Sequence, residues 1–239
     1  QLGHLRMALP LLGRAWELAQ HSPEVWLSLA RCRYELGDWE ASLALIGQAA
    51  ANGFDAAQFD ALRKALVGEA GGRKIFCVGR NKTGTTSTEV ALRSFGLRLG
   101  LQARGEALKG DWARRDFTRI VDLCRTADAF QDVPFSGNFT FQAVDMHFPG
   151  SKFILTVRDD ADQWYESLVR FHTKIVNKGR VPTADDLRNF EYRYKGYLWD
   201  SFVLTYSDDE ADLYRKDLYI QNYVDHNRNV IEYFRHRPH

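Results

Sequence analysis

The sequence predicts an α/β domain, a parallel sheet with helices on both faces, preceded by an N-terminal all-α segment of helical repeats. Two observations support this fold class. Residues 1–70 carry a repeating pattern of small and large apolar residues typical of stacked helices. Residues 74–239 alternate short apolar runs with helical patterns, as expected for parallel strands joined by helices. A chain of 239 residues has room for both parts.

The helical segment shows self-similarity at a shift of 34 residues. The shift aligns residues of similar size, namely Gly3 with Gly37, Leu5 with Trp39, Ala8 with Ser42, Leu9 with Leu43, Leu12 with Ile46 and Ala15 with Ala49. Helix pairs of this period resemble the tetratricopeptide repeat. We expect residues 1–20 to be the second helix of one repeat, 22–50 a whole repeat, and 54–68 a further helix. The alternative is an ordinary helical hairpin.

The resemblance implies a protein partner, or self-association through the repeats. Arrays of this kind need at least about three repeats, so we expect that upstream repeats are missing. The chain also stops directly after a helical pattern. We therefore expect a fragment cut at both ends. The glycine-rich stretch 68–73 predicts the boundary between the two parts.

Composition narrows the function classes. Lysine and arginine number 32 against 31 acidic residues, and this balance offers no basic face for nucleic acid. No apolar run approaches about 20 residues, so we expect no membrane span. The three cysteines are scattered without C-x-x-C spacing, which predicts neither disulfides nor a zinc site. This usage favours a reducing, cytoplasmic location.

Three apolar runs predict buried strands at 74–79, 127–135 and 152–157. Helical patterns separate them, so the strands should pair in parallel. From residue 160 onward the chain reads as helices joined by short loops. Ligands of such sheets bind beyond the carboxyl ends of the strands, and those ends are therefore the places to search for a site.

The first strand is followed by G-R-N-K-T-G-T-T, which nearly matches the Walker A phosphate loop. Its lysine, Lys82, precedes Gly84 instead of following it. Gly84 allows the backbone to approach an anion, and the NH groups of Thr85, Thr86 and Ser87 would begin a helix with its positive dipole end. This arrangement predicts anion binding. The alternative is a plain strand–helix turn with a hydroxyl cap.

The third strand ends at Arg158, which could bind a phosphate bidentately, with Ser167 of the next helix donating to the same group. The alternative is a surface ion pair of Arg158 with Asp159 or Asp160.

The second strand ends at Asp132, two residues before Pro134. A carboxylate here is a candidate general base. It could equally cap the turn, or pair with Lys82 or Arg158. Glu106 and Asp111 are alternative bases.

Together these motifs resemble the sulfotransferase family, whose P-loop kinase-like core places lysine before the glycine. The resemblance covers roughly residues 74–172. It implies that Lys82 contacts the oxygen bridging phosphate and sulfate of 3′-phosphoadenosine 5′-phosphosulfate, and that Arg158 and Ser167 hold its 3′-phosphate. Asp132 stands where many members carry a catalytic histidine. The loop residues implied in binding this sulfate donor are Arg80, Lys82, Thr83, Gly84, Thr85, Thr86 and Ser87.

The sequence therefore favours a sulfotransferase acting on a hydroxyl or amine acceptor, in a domain spanning 74–239. No triphosphate chain must be neutralised in this reaction, and no metal-ligand spacing is present in the sequence, so we expect no metal. Two alternatives remain. One is a P-loop kinase or other nucleotide-binding enzyme, and the other a tetratricopeptide scaffold carrying an inactive P-loop domain.

Overall fold

A computed structural model describes residues 2–36, 38–67, 73–177 and 179–237. The chain divides into two compact units, residues 1–71 with 125–127, and residues 72–124 with 128–239. Most of the predicted glycine-rich boundary, residues 68–72, lies outside the described residues. The two units are described separately.

In the described residues of the first unit, the regular secondary structure is helical. Its helices are α1 (Leu2–Leu18), α2 (Pro23–Glu35), α3 (Trp39–Ala51) and α4 (Asp60–Val67), with a 3₁₀ turn at Ala56–Phe59. Proline is favourable in the first turn of α2 because its missing NH would have no helical partner there. Asp38 caps α3 through the Ala41 NH. The α2–α3 pair matches the predicted whole repeat at 22–50.

Small buried residues let α2 and α3 approach closely. Ala30 and Ala49 are fully buried, and so is Ser42. The Ser42 hydroxyl donates a hydrogen bond of 2.7 Å to the Ala30 carbonyl, which satisfies this polar group inside the pair. This packing explains why the repeat pattern alternates small and large residues.

The second unit contains a three-stranded parallel sheet in the order β2-β1-β3. The strands are β1 (Ile75–Cys77), β2 (Ala129–Phe130) and β3 (Lys152–Ile154). Phe76 in the central strand pairs with Phe130 on one side and Phe153 on the other. The predicted parallel α/β class is thus confirmed.

The strands are shorter than the apolar runs predicted. Pairing of β2 stops at Phe130, and Asp132 soon after has a left-handed backbone with φ of 62°. Pro134 follows and has no NH to offer a neighbouring strand. The chain therefore leaves the sheet early and continues as a loop that carries Asp132.

Helices flank the sheet. They are α5 (Thr85–Ser94), α6 (Gln102–Ala107), α7 (Lys109–Ala113), α8 (Thr118–Cys124), α9 (Thr140–His147), α10 (Ala161–His172), α11 (Ala184–Asn189), α12 (Tyr197–Thr205) and α13 (Lys216–Phe234). The stretch 111–127, one of the helical patterns that separate the predicted strands, is divided because Arg115 adopts φ of 62° between α7 and α8. Asp116 then accepts from the Thr118 NH where α8 begins.

The core of the sheet is built from phenylalanine rings. Phe76 is fully buried, and its ring centroid lies 5.4 Å from that of Phe153 and 5.7 Å from those of Phe130 and Phe135. Such contacts bury large apolar areas and restrict ring orientation. The core thereby fixes the ends of all three strands relative to each other.

Two expectations from the sequence concerned disulfides and membrane-spanning helices. Cys32, Cys77 and Cys124 are buried, and none of them forms a disulfide. In the ranges that the structure describes, no helix has both the length and the apolar character needed to cross a bilayer.

At Gly79 the segments that follow β1 and β3 approach each other closely. A Cβ atom on Gly79 would lie 2.4 Å from the Thr156 carbonyl oxygen and 2.8 Å from its amide nitrogen. Backbone atoms cannot move aside as a flexible side chain can. Only glycine permits this approach, which brings the loop after β1 next to the loop after β3.

Gly79→Ala should lower the free energy of unfolding by about 1–3 kcal/mol, as expected for overpacking. Urea denaturation of the purified chain measures the change. Gly110→Ala is the matched control, because its Cβ would meet only the flexible Arg114 side chain at 3.4 Å. An alanine at position 79 that left stability unchanged would contradict the close approach.

Candidate active site

A cavity of about 310 Å³ opens beside the residues that directly follow β1 and β2. It is lined by several of the residues that the sequence predicted, namely Arg80, Lys82, Thr85, Thr86, Asp132 and the alternative base Glu106. Ser87 is exposed on the first turn of α5. Residues from three separate segments of the chain therefore meet at one site.

The loop between β1 and α5 places the start of a ten-residue helix against this cavity. Gly84 precedes α5 with φ of 98°, a backbone conformation that favours glycine. A Cβ at Gly84 would meet nothing within 4 Å, so the space in front of the helix start is open. The first NH groups of a helix lack helical acceptors and carry its positive dipole end. The loop can therefore receive an anion.

Thr83 holds the loop from within. Its buried hydroxyl donates to the Arg80 carbonyl at 2.5 Å and shares a hydrogen bond of 2.7 Å with the Thr156 hydroxyl. Its side chain is thus engaged in shaping the loop. A contact of Thr83 with a ligand stays a prediction.

Arg158 connects the loop to α10. Its Nε donates to the Lys82 carbonyl at 2.7 Å, and one terminal nitrogen lies 3.4 Å from the Ser167 hydroxyl. The two aspartates that follow Arg158 accept hydrogen bonds from Gln163 instead. Although nine residues separate them in the chain, the Arg158 and Ser167 side chains meet beside the loop between β1 and α5. They could therefore contact one ligand group.

Lys82 stands at the strained centre of the loop, with φ of 67°. Its ammonium lies 3.2 Å from the centre of the Phe171 ring, a cation–π contact. Burial lowers the pKa of Lys82, and the charge of Asp132 acts against this shift. The lysine is thus a partly desolvated cation facing the cavity.

Asp132 and Glu106 share one amide partner. The Gln102 side-chain NH₂ lies 3.0 Å from Glu106 and 3.4 Å from Asp132. Glu106 also forms an ion pair with Arg193, whereas Asp132 accepts from the Val133 NH at 2.9 Å. Burial raises the pKa of both carboxyl groups. A raised pKa makes each carboxylate a stronger base than an exposed one.

Lys109 is a cavity residue that the motif search did not identify. It is buried, and its ammonium donates to the Ser201 carbonyl at 3.3 Å. Burial, followed by the charge of Arg80, lowers the pKa of Lys109 to about 7. In the sequence, only its position three residues after Glu106 pointed to Lys109, and this is weak evidence for a site residue.

Arg80 is buried and donates to three acceptors. These are the Ser136 carbonyl at 2.9 Å and the side-chain oxygens of Asn138 at 2.9 Å and Asn222 at 2.5 Å. Among the residues that the structure describes, its Nε has no hydrogen-bond partner. Burial lowers the pKa of the guanidinium, which has neutral partners at all three contacts. Arg80 therefore brings an unpaired positive charge to the cavity wall.

The remaining wall is mostly aromatic and apolar. Its rings come from Trp112, Phe171, Tyr192, Tyr197, Phe202, Tyr206 and Tyr219. His172 belongs to this wall, with Nδ1 2.9 Å from the Tyr214 hydroxyl. Burial, aided by Lys82 and Lys109, lowers the pKa of His172 to about 4, so it is neutral near pH 7. Sequence reasoning did not assign this wall, because its residues are dispersed over more than a hundred positions.

Asp111, the other alternative base, is bound by two arginines. Its carboxylate lies 2.6 Å from Arg114 and 3.2 Å from Arg119. Glu106 is therefore the only one of the two alternatives among the cavity-lining residues. Within the described part of the chain, no group of three or more histidine, cysteine, aspartate or glutamate side chains has a metal-binding arrangement.

Comparison with known protein families gives two matches. Residues 74–238 match the model of a sulfotransferase domain, which covers more than half of the chain. Residues 1–66 match a tetratricopeptide repeat. No curated protein matches the chain. Both resemblances predicted from the sequence are thereby confirmed at the level of the family.

Proposed function

The chain belongs to the sulfotransferase domain family, and from this premise we propose that it moves a sulfuryl group from 3′-phosphoadenosine 5′-phosphosulfate to a hydroxyl or amine acceptor. One observation carries the proposal. Lys82 and Asp132, from the loops after β1 and β2, line the same cavity at the start of α5. A cation for the leaving group and a base for the acceptor are thus available together.

The residues present fit the sulfate donor. The open space before α5 and its NH groups suit the 5′-phosphate, with Thr85, Thr86 and Ser87 at the helix start. Arg158 and Ser167, which already contact each other, suit the 3′-phosphate. A nucleotide carrying both phosphates would be held at two points, the start of α5 and the Arg158–Ser167 pair.

Lys82 would stabilise the leaving group. In this reaction the bond between sulfur and the bridging oxygen breaks while the acceptor oxygen bonds to sulfur, and negative charge gathers on the departing phosphate. A preorganised cation beside that oxygen lowers the barrier electrostatically. The products are the sulfated acceptor and 3′-phosphoadenosine 5′-phosphate, and the acceptor proton passes to the base.

Asp132 is the better candidate for that base. Glu106 is committed to an ion pair with Arg193, which stabilises its charge and reduces its basicity. Asp132 has weaker partners, the Val133 NH at 2.9 Å and Gln102 at 3.4 Å. We therefore assign proton removal to Asp132 and a positioning role to Glu106, which orients Gln102.

The N-terminal unit would serve a different purpose. The tetratricopeptide match supports a role in protein interaction, either with a partner or with a second copy of the chain. A cytoplasmic location likewise stays a proposal that rests on the cysteine usage.

Nucleotide binding is expected to depend on the 3′-phosphate. By calorimetry, the chain should bind 3′-phosphoadenosine 5′-phosphate at least about tenfold more tightly than 5′-AMP, since a charge-assisted contact would be lost. Ser167→Ala should reduce this preference while 5′-AMP binding stays the same. Ser94→Ala, an exposed serine on α5, is the control. Equal affinity for both nucleotides, or magnesium-dependent binding of ATP instead, would favour the kinase alternative.

Lys82→Ala should reduce turnover by about 100-fold or more, the size typical of a lost electrostatic contact to a developing charge. The measurement is the rate at which 3′-phosphoadenosine 5′-phosphate forms from the sulfate donor, with a phenol supplied as acceptor. Lys152→Ala is the matched control, because this lysine is exposed on β3. If Lys82→Ala keeps more than a tenth of the turnover of the unaltered enzyme, Lys82 does not stabilise the leaving group.

Asp132→Asn should abolish most of the turnover and leave nucleotide affinity unchanged. Glu106→Gln should retain much more activity, because it would still contact Gln102. Burial raises the pKa of Asp132. On acidification, the turnover of the unaltered enzyme should therefore begin to fall at a pH above the usual pKa range of an aspartate. The opposite ranking of the two variants would assign the base to Glu106.

A further inference from the structure

We propose that the acceptor carries an acidic group, and that Lys109 and Arg80 form the subsite that binds it, with an aromatic ring of the acceptor against the cavity wall. This inference rests on the proposed function, because it names the acceptor class of the same site. A hydroxyaryl carboxylate is the simplest molecule of this class.

Lys109 is the first element of the subsite. Its side chain is buried and lines the cavity, and its ammonium has the Ser201 carbonyl as a hydrogen-bond acceptor at 3.3 Å. An ammonium has three protons to donate. A buried cation is stabilised when an anion completes its hydrogen bonds, so Lys109 is poised to accept one.

Arg80 is the second element. It is 5% exposed, lines the same cavity, and has an Nε without a partner. Its three hydrogen-bond partners are two amide oxygens and a backbone carbonyl, none of which carries a negative charge. The guanidinium charge is therefore available to an incoming anion at short range.

The balance of charge in the cavity supports the same conclusion. Among the lining residues, Arg80, Lys82 and Lys109 face the two carboxyl groups of Asp132 and Glu106. Glu106 is already paired with Arg193. Burial, followed by repulsion from Arg80, lowers the pKa of Lys109. The sulfate donor would neutralise Lys82. Arg80, which the family resemblance implied in donor binding, is assigned here to the acceptor, so Arg80 and Lys109 are the cations left to bind an acidic group.

Arg80 stands in the loop that would hold the sulfate donor, whereas Lys109 lies outside that loop, on α7. Its hydrogen-bond acceptor, Ser201, lies on α12, and its ammonium is 5.8 Å from the Tyr197 ring of the same helix. Helix α12 also contributes Phe202 to the wall. The acidic group and the aromatic ring would therefore be recognised on the same side of the cavity.

The test compares two phenols of the same shape, 4-hydroxyphenylacetate and its neutral amide, 4-hydroxyphenylacetamide. Each is titrated by calorimetry into the full chain saturated with 3′-phosphoadenosine 5′-phosphate. The acid should bind about tenfold or more tightly than the amide, given the strength of charge-assisted hydrogen bonds. Equal affinities, or a preference for the amide, would overturn the inference. The proposed function would survive that result as long as the nucleotide binds.

Substitutions of Lys109 test whether this side chain causes the preference for the acid over the amide. Lys109→Met should reduce the ratio of the two affinities to about threefold or less, and Lys109→Arg should restore most of it. Lys152→Met is the surface control. Should Lys109→Met not fold, Lys109→Gln takes its place, with the same expected loss of preference. A preference for the acid that persists in Lys109→Met would place the acidic group elsewhere and overturn the assignment.

Discussion

Hydrogen bonds from the segment after β3 to the loop after β1 hold the site together. The Arg158 side chain bonds to the Lys82 carbonyl, the Trp164 indole NH donates to the Asn81 carbonyl at 2.9 Å, and Thr156 bonds to Thr83. A lysine with positive φ is costly by about 1 kcal/mol or more, so such a loop persists only when its surroundings determine it. Parallel pairing of β1 with β3 supplies those surroundings.

This arrangement makes the electrostatics of the cavity a product of the fold. Burial acts on the charged groups of both signs, lowering the pKa of Lys82, Lys109 and Arg80 and raising that of Asp132 and Glu106. In a medium of low polarity, charges interact more strongly than in water. Ligands whose charges complement those of the cavity would bind more tightly for this reason, and ligands without such charges would bind weakly.

How much of this could be predicted from the sequence depends on how local each feature is. The loop containing Lys82 and Gly84, and the helix after it, could be predicted because strand, turn and helix follow one another in the chain. The positions of Asp132 and Arg158 at one edge of the sheet could also be predicted, because the carboxyl ends of parallel strands lie at the same edge. Strand lengths were overestimated, because apolar residues continue beyond the last paired residue, as Leu155 and Val157 do after Ile154.

The rest depended on tertiary packing. Lys109 and Glu106 lie on short helices, and neither the Arg193–Glu106 ion pair nor the convergence of Trp112, Tyr197 and Tyr219 has a local pattern. A buried lysine cannot be told from an exposed one by its neighbours in the chain. The roles of the individual residues in catalysis remain predictions, whereas the family is shown by the match over 74–238.

The contact of Lys82 with Phe171 bears on when water is removed from the lysine. With its ammonium 3.2 Å from the ring centre, one side of the cation is already shielded by an aromatic face. Part of the work of stripping its hydration shell is therefore done during folding and not when a ligand arrives. A charge held in this way needs little reorientation of solvent as a reaction proceeds, and this is the property that makes fixed charges effective in stabilising a developing one.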